Sequence, residues 1–157
     1  MKFDKVDHLA IAVLDLDAAI DYYQKQLGFS LDTIRDTHGK FSGMRSAVLF
    51  SGEFSVVLIK SLSPDSQVDR YISRYGPGVQ HIAFEVKDIH ALYIGMKEKG
   101  MQFSTEIIEA PGLRQLFTRR DPNTGMMHEF IERTDQSNFD EKNINQLFEQ
   151  LEASGEF

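Results

Sequence analysis

The sequence predicts an α+β domain made of two βαβββ modules and completed by a C-terminal helix. Three observations predict it. An internal repeat aligns Val6–Ala18 with Val79–Ala91 at a constant offset, 81 − 8 = 73, with six of thirteen positions identical and His8 falling on His81. Each copy opens with an alternating run that reads as a strand, then passes through an aspartate turn, Asp15 or Asp88, into a helical pattern. Three further strand candidates follow each helix.

Taken in order, module one covers about 4–62. Its first strand holds His8, and its helix spans roughly Asp17–Gln26, with Ala18, Ile20, Tyr22 and Tyr23 as apolar contacts and Gly28 as the stop. Strands follow at Phe29–Arg35, Ser42–Ser51 and Phe54–Leu62, the last two joined by a Gly52-Glu53 turn. A connector over 63–77 carries a short helix around Gln67–Arg74. Module two covers about 78–134: the His81 strand, a helix ending near Gly100, then strands at Met101–Glu109, Leu113–Arg119 and Gly125–Arg133. The turn Asp121–Gly125 contains Pro122, which presets φ, and Gly125, which permits positive φ. A final amphipathic helix over 138–152 presents Ile144, Leu147, Phe148 and Leu151 at helical spacing.

The 157 residues suit one domain, and 41% apolar with 26% charged residues is ordinary for a soluble globular protein. A net charge of 17 − 24 = −7 argues against general affinity for nucleic acid or an anionic membrane surface. The chain has no cysteine, which excludes disulfides, zinc–thiolate sites and iron–sulfur clusters; any metal must be held by His, Asp or Glu. No run approaches the ~18 apolar residues of a membrane span. Met1–Lys5 lacks the apolar stretch of a signal peptide, so a cytoplasmic location is expected.

Strand alternation places His8 with Ala10 and Ala12 on one face, and Leu9, Ile11 and Val13 on the other; His81 shares a face with Ala83. Taken singly, each histidine reads as a half-buried residue bonded to a carbonyl. The pair at equivalent repeat positions reads differently, because strands related by a pseudo-twofold bring both imidazoles to one axis. Two imidazoles need a third ligand to hold a metal. The last strand offers Glu129 on one face, with Met127 and Ile131, and His128 and Glu132 on the other; alternation alone does not choose between them. His38 and His90 read as ordinary surface or helix residues, and Glu85 as a rim residue.

Several segments carry a resemblance: Ser42–Leu49, Ser66-Gln67-Val68, Tyr75–Phe84, Leu113–Thr118, Glu129–Arg133 and Asn143–Glu149. Together they resemble the vicinal oxygen chelate superfamily, whose paired βαβββ modules form a metal-binding cup. Within it they are most similar to the C-terminal catalytic barrel of 4-hydroxyphenylpyruvate dioxygenase and hydroxymandelate synthase. The resemblance implies iron(II) held by His8, His81 and Glu129, a facial triad that leaves positions open for a bidentate 2-oxo acid and dioxygen. The fourth protein ligand of many metal-dependent isomerases and epimerases in the superfamily falls at Val57, which cannot bind metal. Ser46, Gln67, Gln80, Gln115, Phe117, Phe139 and Asn143 match pocket positions. Two positions depart: a pocket asparagine becomes Ser61, preferred to Lys60 because it shares a face with Val57 and Ile59. A ring-stacking aromatic opposite Phe117 becomes Ile144, which implies an aliphatic pocket wall and poor handling of 4-hydroxyphenylpyruvate. The implied function is an iron(II) dioxygenase acting on a 2-oxo acid, as a homodimer. The alternatives are a metal-dependent isomerase, epimerase or lyase, and a non-catalytic small-molecule-binding resistance protein.

Overall fold

The computed structural model describes residues 2–110, 112–134 and 141–155, with the side chains of 110, 141–144 and 146–148 outside the description. Strand β1 (Lys5–Ala12) leads into α1 (Leu16–Asp21), and the helix widens into a π-helical turn over Tyr22–Gln26 where a single α-helix was expected. Strands β2 (Ser30–His38), β3 (Gly43–Ser51) and β4 (Phe54–Ser61) complete the first module, and α2 (Gln67–Tyr75) connects it to the second. The second module runs β5 (Gly78–Glu85), α3 (Ile89–Glu98), β6 (Ile108–Ala110), β7 (Leu113–Phe117) and β8 (Met127–Arg133), before α4 (Glu141–Ser154).

The repeat is visible in the caps. Asp15 Oδ1 accepts from the Ala18 amide at 3.0 Å and Asp88 Oδ1 from the Ala91 amide at 2.9 Å, each satisfying one otherwise orphaned donor of a helix start. Both helices are followed by glycine in the left-handed region, Gly28 at φ 75° and Gly100 at φ 86°.

One expected strand is largely replaced. Over Met101–Glu109 the chain makes a single bridge, Phe103 to Thr118, before β6 begins. Hydroxyl side chains take part of the ladder's place: Thr105 Oγ1 accepts from the Phe117 amide at 3.1 Å, and Ser104 Oγ donates to the Thr118 carbonyl at 2.9 Å. Such local side-chain bonds compete with regular pairing.

The eight strands form one curled mixed sheet in the order β2-β3-β4-β1-β5-β8-β7-β6. Each module pairs its first and last strands in parallel, β1 with β4 and β5 with β8. The modules meet at the antiparallel β1–β5 seam, where His8 lies opposite Ala83 and His81 opposite Ala10. Helices α1 and α3 cover one face. Leu16 and Ile20 pack with Leu49, Val56 and Leu58, and with Leu9, Ile11 and Val13 of β1; Ile89 and Leu92 pack with Val86, Leu116 and Phe130. Fully burying one such aliphatic side chain stabilises the fold by about 1.5–3 kcal/mol.

The inner face is closed by α4, which touches both edge strands, β2 and β6. Asn145 Oδ1 accepts from the His38 amide at 3.3 Å, and Gln150 Oε1 from the Glu106 amide at 3.1 Å. Leu151 packs on Ile108, Phe117 and Met127. Among the described residues no helix is long and apolar enough to cross a membrane.

Candidate metal centre

His8, His81 and Glu129 converge at the seam between the modules, with ligand atoms all within 4.8 Å of one another. Both imidazole Nε2 atoms lie 3.2 Å from the same carboxylate oxygen, Glu129 Oε2. Glu129 is 1% exposed, and a carboxylate so buried is costly without partners. Between the two faces that alternation left open, the structure puts Glu129 beside the histidines. Glu132 points to the helix face instead, where its Oε2 accepts from the Ile89 amide at the start of α3 and its Oε1 pairs with Arg114 at 2.7 Å.

The Nδ1 atoms are occupied from behind. Asp7 Oδ1 lies 2.9 Å from His8 Nδ1, and Gln80 Oε1 is hydrogen-bonded to His81 Nδ1. Both acceptors immediately precede their histidine, a position that strict alternation sends to the opposite face. The pairing explains the exception. The β1–β5 register skips one residue between Val6 and His8, and one between Val79 and His81, which leaves Asp7 and Gln80 as bulge residues. A β-bulge re-aims a side chain that a regular strand would turn away. The two bulges are related by the repeat, since 7 + 73 = 80. With acceptors at both Nδ1 positions, a neutral ring carries its proton there, which leaves Nε2 as the atom turned to the cluster for a metal.

The two supports differ in charge. Arg133 clasps Asp7 with its Nε on Oδ2 and a terminal nitrogen on Oδ1, each at 3.0 Å. Burial opposes ionisation of Asp7, but His8 and Arg133 outweigh it and hold the carboxyl well below its usual range. Burial likewise opposes a charged His8, yet the carboxylates of Glu129 and Asp7 raise it to about 9. His81, backed by a neutral amide, is lowered by burial, against the pull of Glu129. Glu129 is brought down to about 2 because the two histidines overcome its desolvation.

A cavity of about 70 Å³ opens onto the cluster. Ala10, Met44, Val48, Val57, Ile59, Val68 and Leu151 make it largely apolar; Ser46, Gln67, Gln80, Gln115 and Arg35 supply the polar lining beyond the cluster itself. Gln115 is 1% exposed; its Nε2 donates to Glu129 Oε1 at 2.7 Å, while its Oε1 is buried with no hydrogen-bond partner. An orphaned acceptor in such a place suits a ligand hydroxyl or amine, or a water.

Of the pocket residues expected from sequence, Ser46, Gln67, Gln80 and Gln115 line this cavity. Ser61 and Phe117 are not among its lining residues. Ser61 ends β4 on the expected face, but its hydroxyl donates to the Ser63 carbonyl and meets Ser66 Oγ, both at 2.5 Å, which ties it into the cap of α2. Phe117 is fully buried and sits edge-on to the His81 ring, centroids 5.2 Å apart, inside the cluster that seats Leu151. In this position it buttresses the His81 ring. Phe139 lies outside the described residues. Asn143 and Ile144 fall on α4, with side chains outside the description. Val57, expected where the superfamily's fourth ligand would stand, is in the lining.

Sequence reasoning missed Asp7 and Arg133, whose positions depend on the bulge and on contact across 126 residues. It also missed Arg35, the wall residue of β2. The arginine lies opposite Ser46 in the β2–β3 register, and that pairing carries it to the inner face.

Residues 5–130 match the family model of the Glyoxalase/Bleomycin resistance protein/Dioxygenase superfamily. Among curated proteins, the 4-hydroxyphenylpyruvate dioxygenase of Pseudomonas aeruginosa is 27% identical over 94% of this chain and 51% of its own length. That of Tetrahymena thermophila is 31% identical over 66% of this chain and 28% of its own length. The chain thus spans about half or less of these relatives. Among solved structures, a triple mutant of 4-hydroxymandelate synthase from Streptomyces coelicolor superposes with a TM-score of 0.86 at 22% identity, covering 96% of this chain and 54% of that one. Methylmalonyl-CoA epimerase from Mycobacterium tuberculosis gives a TM-score of 0.73 at 26% identity, covering 85% of this chain and 91% of that one. Repeat, curled sheet and profile match agree: the chain belongs to the Glyoxalase/Bleomycin resistance protein/Dioxygenase superfamily.

Proposed function

We propose that the protein is a mononuclear non-haem iron(II) dioxygenase acting on a 2-oxo acid, with His8, His81 and Glu129 as the metal ligands. One observation carries the reading: two histidines, each with an acceptor behind its Nδ1, and one buried carboxylate converge where an otherwise apolar cavity opens. Two nitrogen donors and one oxygen donor suit iron(II) and leave positions open on the cavity side. When bound, the metal supplies dioxygen activation and the redox chemistry.

The chain's own residues do the rest. Asp7 and Gln80 hold the imidazoles in orientation, and Gln115 holds Glu129 through its 2.7 Å hydrogen bond. Ala10, Val48, Val57, Ile59 and Val68 keep the reacting end of the substrate dry, and Ser46, Gln67 and Gln115 offer the polar contacts that orient it. The likeness to 4-hydroxyphenylpyruvate dioxygenases supports this chemistry. Similarity to an epimerase favours a second reading, metal-dependent isomerisation, but Val57 supplies no fourth ligand for it.

Anaerobic loading with iron(II), followed by a panel of 2-oxo acids, tests the proposal. A visible charge-transfer band on adding an acid, and oxygen uptake on aeration, are the expected results. Tight chelation of an acid with no oxygen consumed would overturn the dioxygenase reading in favour of the isomerase.

A further inference from the structure

The wall of the cavity opposite the cluster carries a cation. Arg35 belongs to β2, an edge strand three places from β1 in the sheet order β2-β3-β4-β1. Through Ser46 and Ile59 its register is level with Ala12, four residues along β1 from His8, so its backbone stands roughly 14 Å across the strands and ~13 Å along them from that of His8. The curl of the sheet turns it back toward the cluster, and Arg35 lines the same cavity as His8, His81 and Glu129.

Its inward direction follows from its neighbours. Ser46, opposite it on β3, also lines the cavity. The flanking residues face outward: Ile34 is 47% exposed, and Asp36 pairs with Arg45 at 2.6 and 2.8 Å on the outer surface. Two arginines thus stand near each other on adjacent strands with opposite assignments. Arg45 is held by a surface carboxylate; Arg35 faces the cavity. Among the described lining residues, Arg35 carries the only charge outside the His–His–Glu cluster.

We propose that Arg35 is the specificity-determining residue of this cavity, and that it selects an acid with a second carboxylate at the end remote from the metal cluster: a 2-oxo dicarboxylate. The assignment rests on the reading above in that the 2-oxo acid head occupies the cluster end. A guanidinium has five donors in a planar fork matched to a carboxylate, so one contact to the protein and one to a ligand are compatible. Within a wall of Met44, Val48, Ile59 and Val68, such a charge-assisted pair is stronger than in water. An acid with a neutral tail offers the guanidinium no carboxylate, and the charge-assisted pair it fails to make is what discriminates. The same cation is a reason for an aryl 2-oxo acid with no distal charge to fit poorly.

The test compares 2-oxo acids of matched chain length with and without a terminal carboxylate, from 2-oxoglutarate to 2-oxopimelate, by calorimetry on iron(II)-loaded protein without oxygen. Wild type is expected to bind the best dicarboxylate about tenfold or more tighter than its neutral-tailed counterpart, and Arg35→Gln to abolish that ratio while leaving neutral-tailed acids unchanged. Arg35→Lys should keep part of the preference, and Arg45→Gln all of it. No preference in wild type, or the same preference in Arg35→Gln, overturns the proposal; the wild-type comparison decides even if Arg35→Gln does not fold. Aeration afterwards separates the two readings. Arg35-dependent preference without oxygen uptake upholds this assignment and rejects the dioxygenase, and oxygen uptake without preference does the reverse.

Discussion

Replacing Asp7 with asparagine tests the support behind the cluster. The substitution keeps shape and volume, so no cavity term enters. It removes the charge that faces both Arg133 and His8, and it turns an amide donor toward groups that themselves donate. Breaking one partner of a buried ion pair costs about 3–5 kcal/mol. Arg133 retains 25% side-chain exposure, which places the expected loss near the lower end, about 3 kcal/mol. In a chain of 157 residues that corresponds to a fall in Tm of roughly 6–12 °C. The same change leaves His8 an amide-oxygen acceptor like the one Gln80 gives His81, in place of a carboxylate that raises its basicity, and metal binding should weaken by about tenfold, the low end for such outer partners. Thermal denaturation followed by circular dichroism gives the first quantity; competition with a chelator, far below Tm, gives the second. Asp7→Asn with an unchanged metal affinity would refute the argument even if the protein were less stable, because the ion pair alone explains a stability loss. A cycle with Arg133→Gln separates the two, since it breaks the ion pair and leaves the Asp7–His8 hydrogen bond in place.

Other consequences follow from the same geometry. Glu129→Ala should abolish tight binding of one metal ion per chain, as should His8→Ala and His81→Ala, whereas Glu132→Ala should retain the metal and lower stability through the lost α3 amide and Arg114 contacts; metal analysis with denaturation reverses the ligand assignment if the two carboxylates trade roles. In the metal-free protein His8 is raised from 6.5 to about 9, so its contribution to stability is fully present below pH 6.5 and is lost as pH rises to about 9. Metal binding near pH 7 should accordingly release a proton and strengthen across that window, which calorimetry in buffers of different ionisation enthalpy measures; binding with no proton release would contradict it. Ile144→Phe should improve handling of arylpyruvates by up to about tenfold, the factor that ~1.4 kcal/mol allows, if Ile144 is a pocket wall; a stability loss with unchanged substrate preference would show that it only packs α4. Light scattering should give the mass of a homodimer, and a stable monomer would refute that assembly.

What the sequence determined was whatever repeats or alternates. The offset of 73 between His8 and His81 identified both modules, and the Asp15 and Asp88 caps marked both helix starts, because capping is a local matter of one side chain and one amide. Period-two alternation assigned Leu9, Ile11 and Val13 to the helix-covered face, where they pack. The strand lost over Met101–Glu109 shows the limit of such reasoning: Ser104 and Thr105 spend their hydroxyls on the neighbouring backbone, a choice available only once β7 lies alongside. Tertiary structure alone decided which carboxylate faces the histidines, since both faces of Met127–Arg133 offered one. The parallel β5–β8 register put Glu129 opposite Ala83, while Glu132 went to α3 and Arg114. It also decided the Asp7 and Gln80 supports, because a bulge suspends alternation for one residue and exists only in the pairing of two strands. Arg35 was hidden for a related reason. Its strand carries polar residues on both sides, so no apolar period marks an inner face, and only the curl of the sheet makes an edge-strand side chain part of a cavity centred three strands away.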